Sequence, residues 1–212
     1  MDLILVRHGL PETTEPTGKR PDPELSSLGQ QQAMRTAAWL ADEPIDVVLS
    51  SPLRRAMQTA EPIAERQQMP VAVAPAFQEI DFGEDSYVPV ELLAADAPQV
   101  VLFRTVMADD GHDLIVSFRH KVREALADTV RSYAGGTVLI SCHGGVINAC
   151  LAETLEITRT FAFDIGYSSI TRLRTTRSGR LHVTSVNEET HLRISGSRTE
   201  PSGDLRGLGT NR

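Results

Sequence analysis

Residues 3–9 read Leu-Ile-Leu-Val-Arg-His-Gly, and they give the first indication of the fold. Its first four residues form a continuous apolar run with β-branched side chains, which is typical of a strand buried in a parallel sheet. The run ends in an arginine and a histidine, and a glycine follows. Ligands of open α/β sheets bind at the carboxyl ends of the strands, so the stretch predicts a ligand site beside His8.

A second stretch repeats this layout, because residues 138–145 read Val-Leu-Ile-Ser-Cys-His-Gly-Gly. The glycines let backbone N–H groups come close to a ligand. A helix is expected to begin after them, and its positive N-terminus would favour an anion at the same place. Either histidine alone could be a structural residue at a strand end. The two matching contexts, with Arg7 beside the first, predict that His8 and His143 face one crevice.

The remaining patterns alternate between strands and helices, which predicts an α/β fold with a mainly parallel sheet. Strands are predicted at 46–50, 71–74 and 137–141, and a hairpin at 169–175 and 181–186. A helix is expected to begin with Ser27 as its cap in a capping box, with Ser26 as the alternative. Another is expected to begin at Pro52 with Ser51 as its cap, and to be kinked or interrupted at Pro62.

Composition excludes several classes of protein. The 212 residues are 41% hydrophobic and 23% charged, as in an ordinary globular protein. The formal net charge of −7 disfavours general binding to nucleic acids or anionic membranes. The two cysteines, Cys142 and Cys150, are interpreted as reduced thiols. Because neither a signal peptide nor a bilayer-spanning stretch is evident, we expect a cytoplasmic protein.

Two further stretches carry residues suited to phosphate chemistry. Residues 50–56 read Ser-Ser-Pro-Leu-Arg-Arg-Ala, after a predicted strand. An arginine at a helix start opposes the helix dipole unless an anion compensates, and one of Arg54 and Arg55 is expected to be merely solvated. Residues 77–83 read Phe-Gln-Glu-Ile-Asp-Phe-Gly. A carboxylate between apolar residues can be desolvated, and this would raise the pKa of Glu79, as a general acid requires. The alternative is that Glu79 belongs to a solvated acidic loop without a functional role.

The stretches at 7–9, 51–60, 79–83 and 143–147 occur in this order, and together they resemble the histidine phosphatase superfamily in its phosphoglycerate mutase-like branch. The resemblance covers about residues 2–192. It implies a three-layer α/β/α sandwich with a phosphoglycerate mutase-like, mainly parallel central sheet. We expect a single domain over 1–194 with a helical rim insertion at about 84–112, and a mobile tail over 195–212.

The resemblance also implies a role for each site residue. His8 matches the nucleophile that becomes phosphohistidine, and Glu79 matches the proton donor. The groups that hold the phosphoryl oxygens are matched by Arg7, Arg55 and His143, and a protonated His143 would add a catalytic donor beside the phosphate. No cofactor is implied, and no metal, because the chain lacks the short ligand spacing typical of metal sites.

The expected activity is hydrolysis of a small-molecule phosphomonoester, as in a histidine acid phosphatase-type phosphoric monoester hydrolase. A phosphoglycerate mutase-type phosphotransferase and a non-catalytic binder of phosphorylated ligands are the alternatives. The family's Trp-Asn pair is absent after residues 7–9, and the one tryptophan is Trp39, which disfavours a glycolytic mutase. Lys19 and Arg20 are predicted to reach the substrate at the rim, with plain surface charges as the alternative. Tyr167 stands where the family commonly has asparagine.

Overall fold

The computed structural model describes residues 1–15, 21–80, 86–88, 93–94, 96–176 and 179–193. Its strands are β1 (Asp2–Arg7), β2 (Val47–Ser50), β3 (Val71–Val73), β4 (Thr137–Cys142), β5 (Ile170–Thr175) and β6 (Leu181–Glu188). Its α-helices are α1 (Ser27–Trp39), α2 (Arg54–Arg66), α3 (Pro98–Ala108), α4 (Asp113–Ser132) and α5 (Gly144–Leu155). The strands and the hairpin therefore lie where the sequence predicted them, within one or two residues.

The six strands form one sheet in the order β3-β2-β4-β1-β5-β6. The first four are parallel, and β5 and β6 form an antiparallel hairpin beside β1. Side chains of β1 alternate between two cores: Leu3 and Leu5 pack with residues of α4 and α5, whereas Ile4 and Val6 pack with residues of α1 and α2. Helices thus cover both faces of a mainly parallel sheet, and the predicted three-layer α/β/α sandwich is confirmed.

Of the two caps predicted for α1 the alternative, Ser26, is the observed one, and the predicted start of α2 is wrong. The N-cap of α1 is Ser26, whose extended backbone lets its side chain accept a hydrogen bond from Gly29 N at 3.1 Å, while Ser27 is already helical. Helix α2 begins at Arg54 and not at Pro52, and its N-cap is Leu53. Pro62 does not interrupt α2, which continues to Arg66, so packing of its inner face outweighs the lost backbone hydrogen bond.

The predicted helical rim at 84–112 contains α3, but residues 84–85, 89–92 and 95 lie outside the described ranges. The tail at 195–212 also lies outside them. Within the described residues, none of the helices is long and apolar enough to cross a bilayer.

Candidate active site

Two neighbouring strands place His8 and His143 side by side. β1 and β4 are parallel and in register, with Arg7 opposite Cys142, so each histidine is the first residue beyond a paired position. His8 N donates to Cys142 O at 2.9 Å, which extends the pairing by one residue. The two rings lie 5.1 Å apart between centroids at an interplanar angle of 62°, and both side chains are buried.

The ring of His8 is held in one tautomer. Arg55 Nε lies 3.2 Å from His8 Nε2, and a guanidinium can only donate, so Nε2 is the acceptor. The proton is therefore on Nδ1, which donates to Gly9 O at 2.7 Å. Burial lowers the pKa of His8 well below its ordinary value, and the charges of Arg55 and Arg7 lower it further. The imidazole is neutral at pH 7, with the Nε2 lone pair directed toward Arg55.

Arg55 lies in the first turn of α2, directly after β2, and is 4% exposed. Its Nη1 lies 4.0 Å from Asp22 Oδ1, and its guanidinium carbon lies 5.0 Å from the centroid of the Tyr87 ring. The neighbouring Arg54 points away to solvent and pairs with Glu24. Of the two adjacent arginines, only Arg55 reaches the histidines.

Arg7 approaches the same place from the end of β1. Its Nη1 donates to Ile165 O, and its guanidinium carbon lies 3.7 Å from the centroid of the Tyr167 ring. A Cβ added at Gly144 would lie 3.7 Å from Arg7 Nε, so the side chain runs beside the first residue of α5. The positive end of α5 and the guanidinium therefore meet at one point, which favours an anion there.

The carboxyl group of Glu79 is bound to the start of α5. Its Oε2 accepts from Gly145 N at 3.1 Å, and its Oε1 accepts from Ile80 N at 3.0 Å. Burial raises the pKa of Glu79, although these two N–H groups and the charges of Arg55 and Arg7 oppose the shift. The result is a carboxyl group that holds a proton more readily than an exposed glutamate does.

Ser51 contributes to the site, which sequence reasoning missed. The residue is fully buried, and its Oγ lies 2.7 Å from Nε2 of His143. The same hydroxyl accepts from Leu53 N at 3.3 Å, in the turn just before α2 begins at Arg54. Its location directly after β2 was visible in the sequence, but the serine-proline pair matched a helix cap and masked the longer-range contact.

Side chains from α1 and α2 fix the loop that leaves β1. Gly9 N donates to Thr59 Oγ1 at 3.0 Å, and Leu10 N donates to Gln32 Oε1 at 2.8 Å. A Cβ on Gly9 would lie 2.5 Å from Gly29 O, so this close approach requires glycine. The backbone that carries His8 is thereby held against both helices.

Other rim residues were missed or fall outside the described ranges. Asp22 and Tyr87 contact Arg55, and Tyr167 contacts Arg7, and the sequence had assigned a role to none of the three. Lys19 and Arg20, predicted to reach the substrate, lie outside the described ranges. No group of three or more metal-ligating side chains occurs among the residues that are described.

Comparison with known proteins relates this site to a family. The profile of the histidine phosphatase superfamily (branch 1) matches residues 3–189. The chain is 30% identical over 153 residues to the uncharacterized phosphatase PhoE of Bacillus subtilis, covering 71% of this chain and 76% of that protein. It is 31% identical over 170 residues to a glucosyl-3-phosphoglycerate phosphatase of Mycobacterium tuberculosis, covering 73% and 75%. A crystal structure of a mutant Entamoeba histolytica phosphoserine phosphatase in complex with phosphoserine has a TM-score of 0.73 and 28% identity, covering 91% of this chain and 99% of that one.

Proposed function

Because this chain belongs to the histidine phosphatase superfamily (branch 1), we propose that it is a phosphoric monoester hydrolase of the histidine acid phosphatase type. In this proposal, His8 accepts the phosphoryl group of a small phosphorylated molecule and then passes it to water. The names of the relatives, which include phosphatases for phosphoserine and for glucosyl-3-phosphoglycerate, support a small phosphomonoester as the substrate.

The orientation of the His8 ring is the observation that carries the proposal. A nucleophilic imidazole needs one nitrogen with a free electron pair and the other held by an acceptor. Gly9 O holds the Nδ1 proton at 2.7 Å, and Nε2 faces Arg55. Burial and the charges of Arg55 and Arg7 lower the pKa of the ring, which favours its neutral, nucleophilic form.

Substrate binding requires Arg55 to change its partner. In the free enzyme its Nε donates to His8 Nε2 and so occupies the electron pair needed for attack. Its buried Nη1 has no hydrogen-bond acceptor among the described residues. A phosphate group offers several charged acceptors, which bind a guanidinium more strongly than a neutral imidazole does. The substrate therefore draws Arg55 onto its oxygens and releases Nε2 for the reaction.

Phosphoryl transfer then needs positioning and charge stabilisation. His8 Nε2 forms a bond to phosphorus as the bond from phosphorus to the ester oxygen breaks. Arg7, Arg55 and His143 bind the non-bridging oxygens during this step. Glu79 enters it protonated, as its raised pKa allows, and gives its proton to the departing oxygen. The products of this half-reaction are the free alcohol, phosphohistidine and an ionised Glu79.

Hydrolysis reverses the proton transfer. Glu79 takes a proton from a water molecule, and the oxygen of that water bonds to phosphorus while the N–P bond breaks. Inorganic phosphate leaves, His8 recovers its electron pair, and Glu79 is again protonated. The carbonyl of Gly9 accepts from Nδ1 throughout, so it stabilises the positive charge on the phosphorylated ring.

Turnover of p-nitrophenyl phosphate tests the proposal. We expect release of phosphate by the parent protein and loss of turnover in His8→Ala. His120→Ala is the matched control, because His120 is exposed on α4. Tight phosphate binding without turnover of any phosphomonoester would instead indicate a binding protein. Transfer between hydroxyl groups without release of phosphate would indicate a mutase.

A further inference from the structure

Tyr167 contacts two residues of the site, and none of the chemical steps above uses it. Its ring centroid lies 3.7 Å from the guanidinium carbon of Arg7 and 5.6 Å from the centroid of the His8 ring, to which it is tilted by 53°. An aromatic ring at such a distance attracts a cation through its negative face. The ring is thus placed to act on Arg7.

The backbone around Tyr167 is bound to the end of β1. Ser168 N donates to His8 O at 3.2 Å, and Arg7 N donates to Ser169 O at 3.2 Å. Ser168 has a φ of 55°, a left-handed conformation that is unfavourable for serine. Such a conformation persists only where the surrounding structure fixes it, and it is frequent at functional sites. The turn that carries Tyr167 is therefore hydrogen-bonded directly to the backbone of Arg7 and His8.

A second support comes from β6. Gly166 N donates to Asn187 Oδ1 at 2.7 Å. A Cβ on Gly166 would lie 1.8 Å from Glu189 Oε1, so the turn packs closely against the side chain that follows β6. Tyr167 therefore lies in a turn that is hydrogen-bonded to both β1 and β6, and this turn holds its ring in place beside Arg7.

We propose that Tyr167 is a positioning residue, whose ring holds the guanidinium of Arg7 in the orientation that binds phosphoryl oxygens. This inference rests on the proposed function. Arg7 is long and flexible, and its contacts include the Ile165 carbonyl at Nη1 and the Tyr167 ring against its face. A planar group held at one edge and one face keeps its remaining N–H groups in a fixed direction. The bound phosphate then meets Arg7 without a further loss of side-chain freedom.

The aromatic ring makes the proposed contact with Arg7, so the phenolic hydroxyl is not required for it. Tyr167→Phe keeps the ring and its negative face, whereas Tyr167→Leu keeps apolar bulk without either. Tyr133→Leu is the matched control, because Tyr133 follows α4 near the amino end of β4, at the edge of the sheet opposite the site.

The experiment measures kcat and KM for p-nitrophenyl phosphate, the Kd of inorganic phosphate by calorimetry, and thermal unfolding of each variant. We expect Tyr167→Leu to raise both KM and the phosphate Kd about tenfold, with a smaller change in kcat. Tyr167→Phe should stay within about twofold of the parent in each quantity. If Tyr167→Leu fails to fold, Tyr167→Met supplies the same comparison.

Two results would overturn the inference: parental phosphate affinity in Tyr167→Leu, or equal losses in Tyr167→Phe and Tyr167→Leu, which would assign the effect to the hydroxyl. Failure of the proposed function is distinguishable, because a parent protein without turnover still reports the phosphate Kd. In that case the calorimetry alone decides the role of Tyr167.

Discussion

Replacing Gly145 by alanine should displace Glu79, the proposed proton donor, while leaving Arg7 and Arg55 in place. The new Cβ would lie 2.3 Å from Glu79 Oε1, whereas a close carbon–oxygen contact is about 3.3 Å, so the carboxyl group must move by about 1 Å. The end of a glutamate side chain can make this movement without unfolding the protein. The move also weakens the hydrogen bond from Gly145 N to Oε2, now 3.1 Å long.

A displacement of this size at a reacting group lowers kcat about a hundredfold. The Kd for inorganic phosphate should change little, since Arg7 and Arg55 keep their places. The pH profile should also change. The Gly145 N–H lowers the pKa of Glu79, so weakening that bond raises it, and the alkaline limb of the profile moves to higher pH. Steady-state kinetics across the acidic and neutral range measures both effects.

Gly144→Ala is the adjacent control. A Cβ at Gly144 meets nothing closer than Arg7 Nε, at an ordinary distance of 3.7 Å. Its kcat should therefore fall far less than that of Gly145→Ala. Parental kcat and an unshifted profile in Gly145→Ala would refute the role of Glu79. An equal loss of phosphate binding would show that the substitution damages the pocket instead.

Three further outcomes are expected. Ser51→Ala removes the hydroxyl that lies 2.7 Å from His143 Nε2. The loss of a hydrogen bond worth about 1.5 kcal/mol should lower kcat/KM about tenfold, and an unchanged kcat/KM would show that this contact does not contribute to catalysis. Asp22→Asn keeps an oxygen acceptor for Arg54 N but removes a negative charge 4.0 Å from Arg55 Nη1. The inhibition constant of inorganic phosphate should therefore fall about two- to fivefold, a modest effect because Asp22 is partly exposed. The pKa of His8 is lower in the folded state than in the unfolded chain, so the free energy of unfolding falls as the pH drops below about 6.5. Urea unfolding should show a smaller fall in His8→Asn than in the parent protein, and an equal fall would contradict the lowered pKa.

The sequence was most informative about the two histidines. Each follows an apolar run long enough for a buried strand, and the carboxyl ends of parallel strands meet at one edge of a sheet. That argument predicted a shared site for His8 and His143. It did not predict that β1 and β4 are direct neighbours with Arg7 opposite Cys142, because strand order depends on the packing of the whole chain.

Local patterns were least informative where a side chain has a distant partner. Ser51 has the local features of a helix cap, but its hydroxyl contacts His143, 92 positions away in the sequence. Pro62 predicted a break that packing of α2 overrides. In both cases tertiary contacts outweigh a local preference that is sound in isolation.

Single loop residues could not be placed from the sequence at all. Tyr167 and Asp22 belong to no periodic pattern, and each reaches its arginine through backbone that no local rule specifies. For Tyr167 that backbone includes the left-handed Ser168. The arginines and histidines that we propose to bind phosphate were accessible to sequence reasoning, whereas the side chains that contact the two arginines required coordinates.

Chemical trapping of the reaction intermediate shows whether His8 accepts the phosphoryl group. The parent protein, mixed with labelled p-nitrophenyl phosphate and denatured in alkali within one turnover, should carry a phosphoryl group that is stable in base and lost in acid. Peptide mapping should locate that group on His8. Rapid turnover without a labelled protein, or a label on any other residue, would contradict the account.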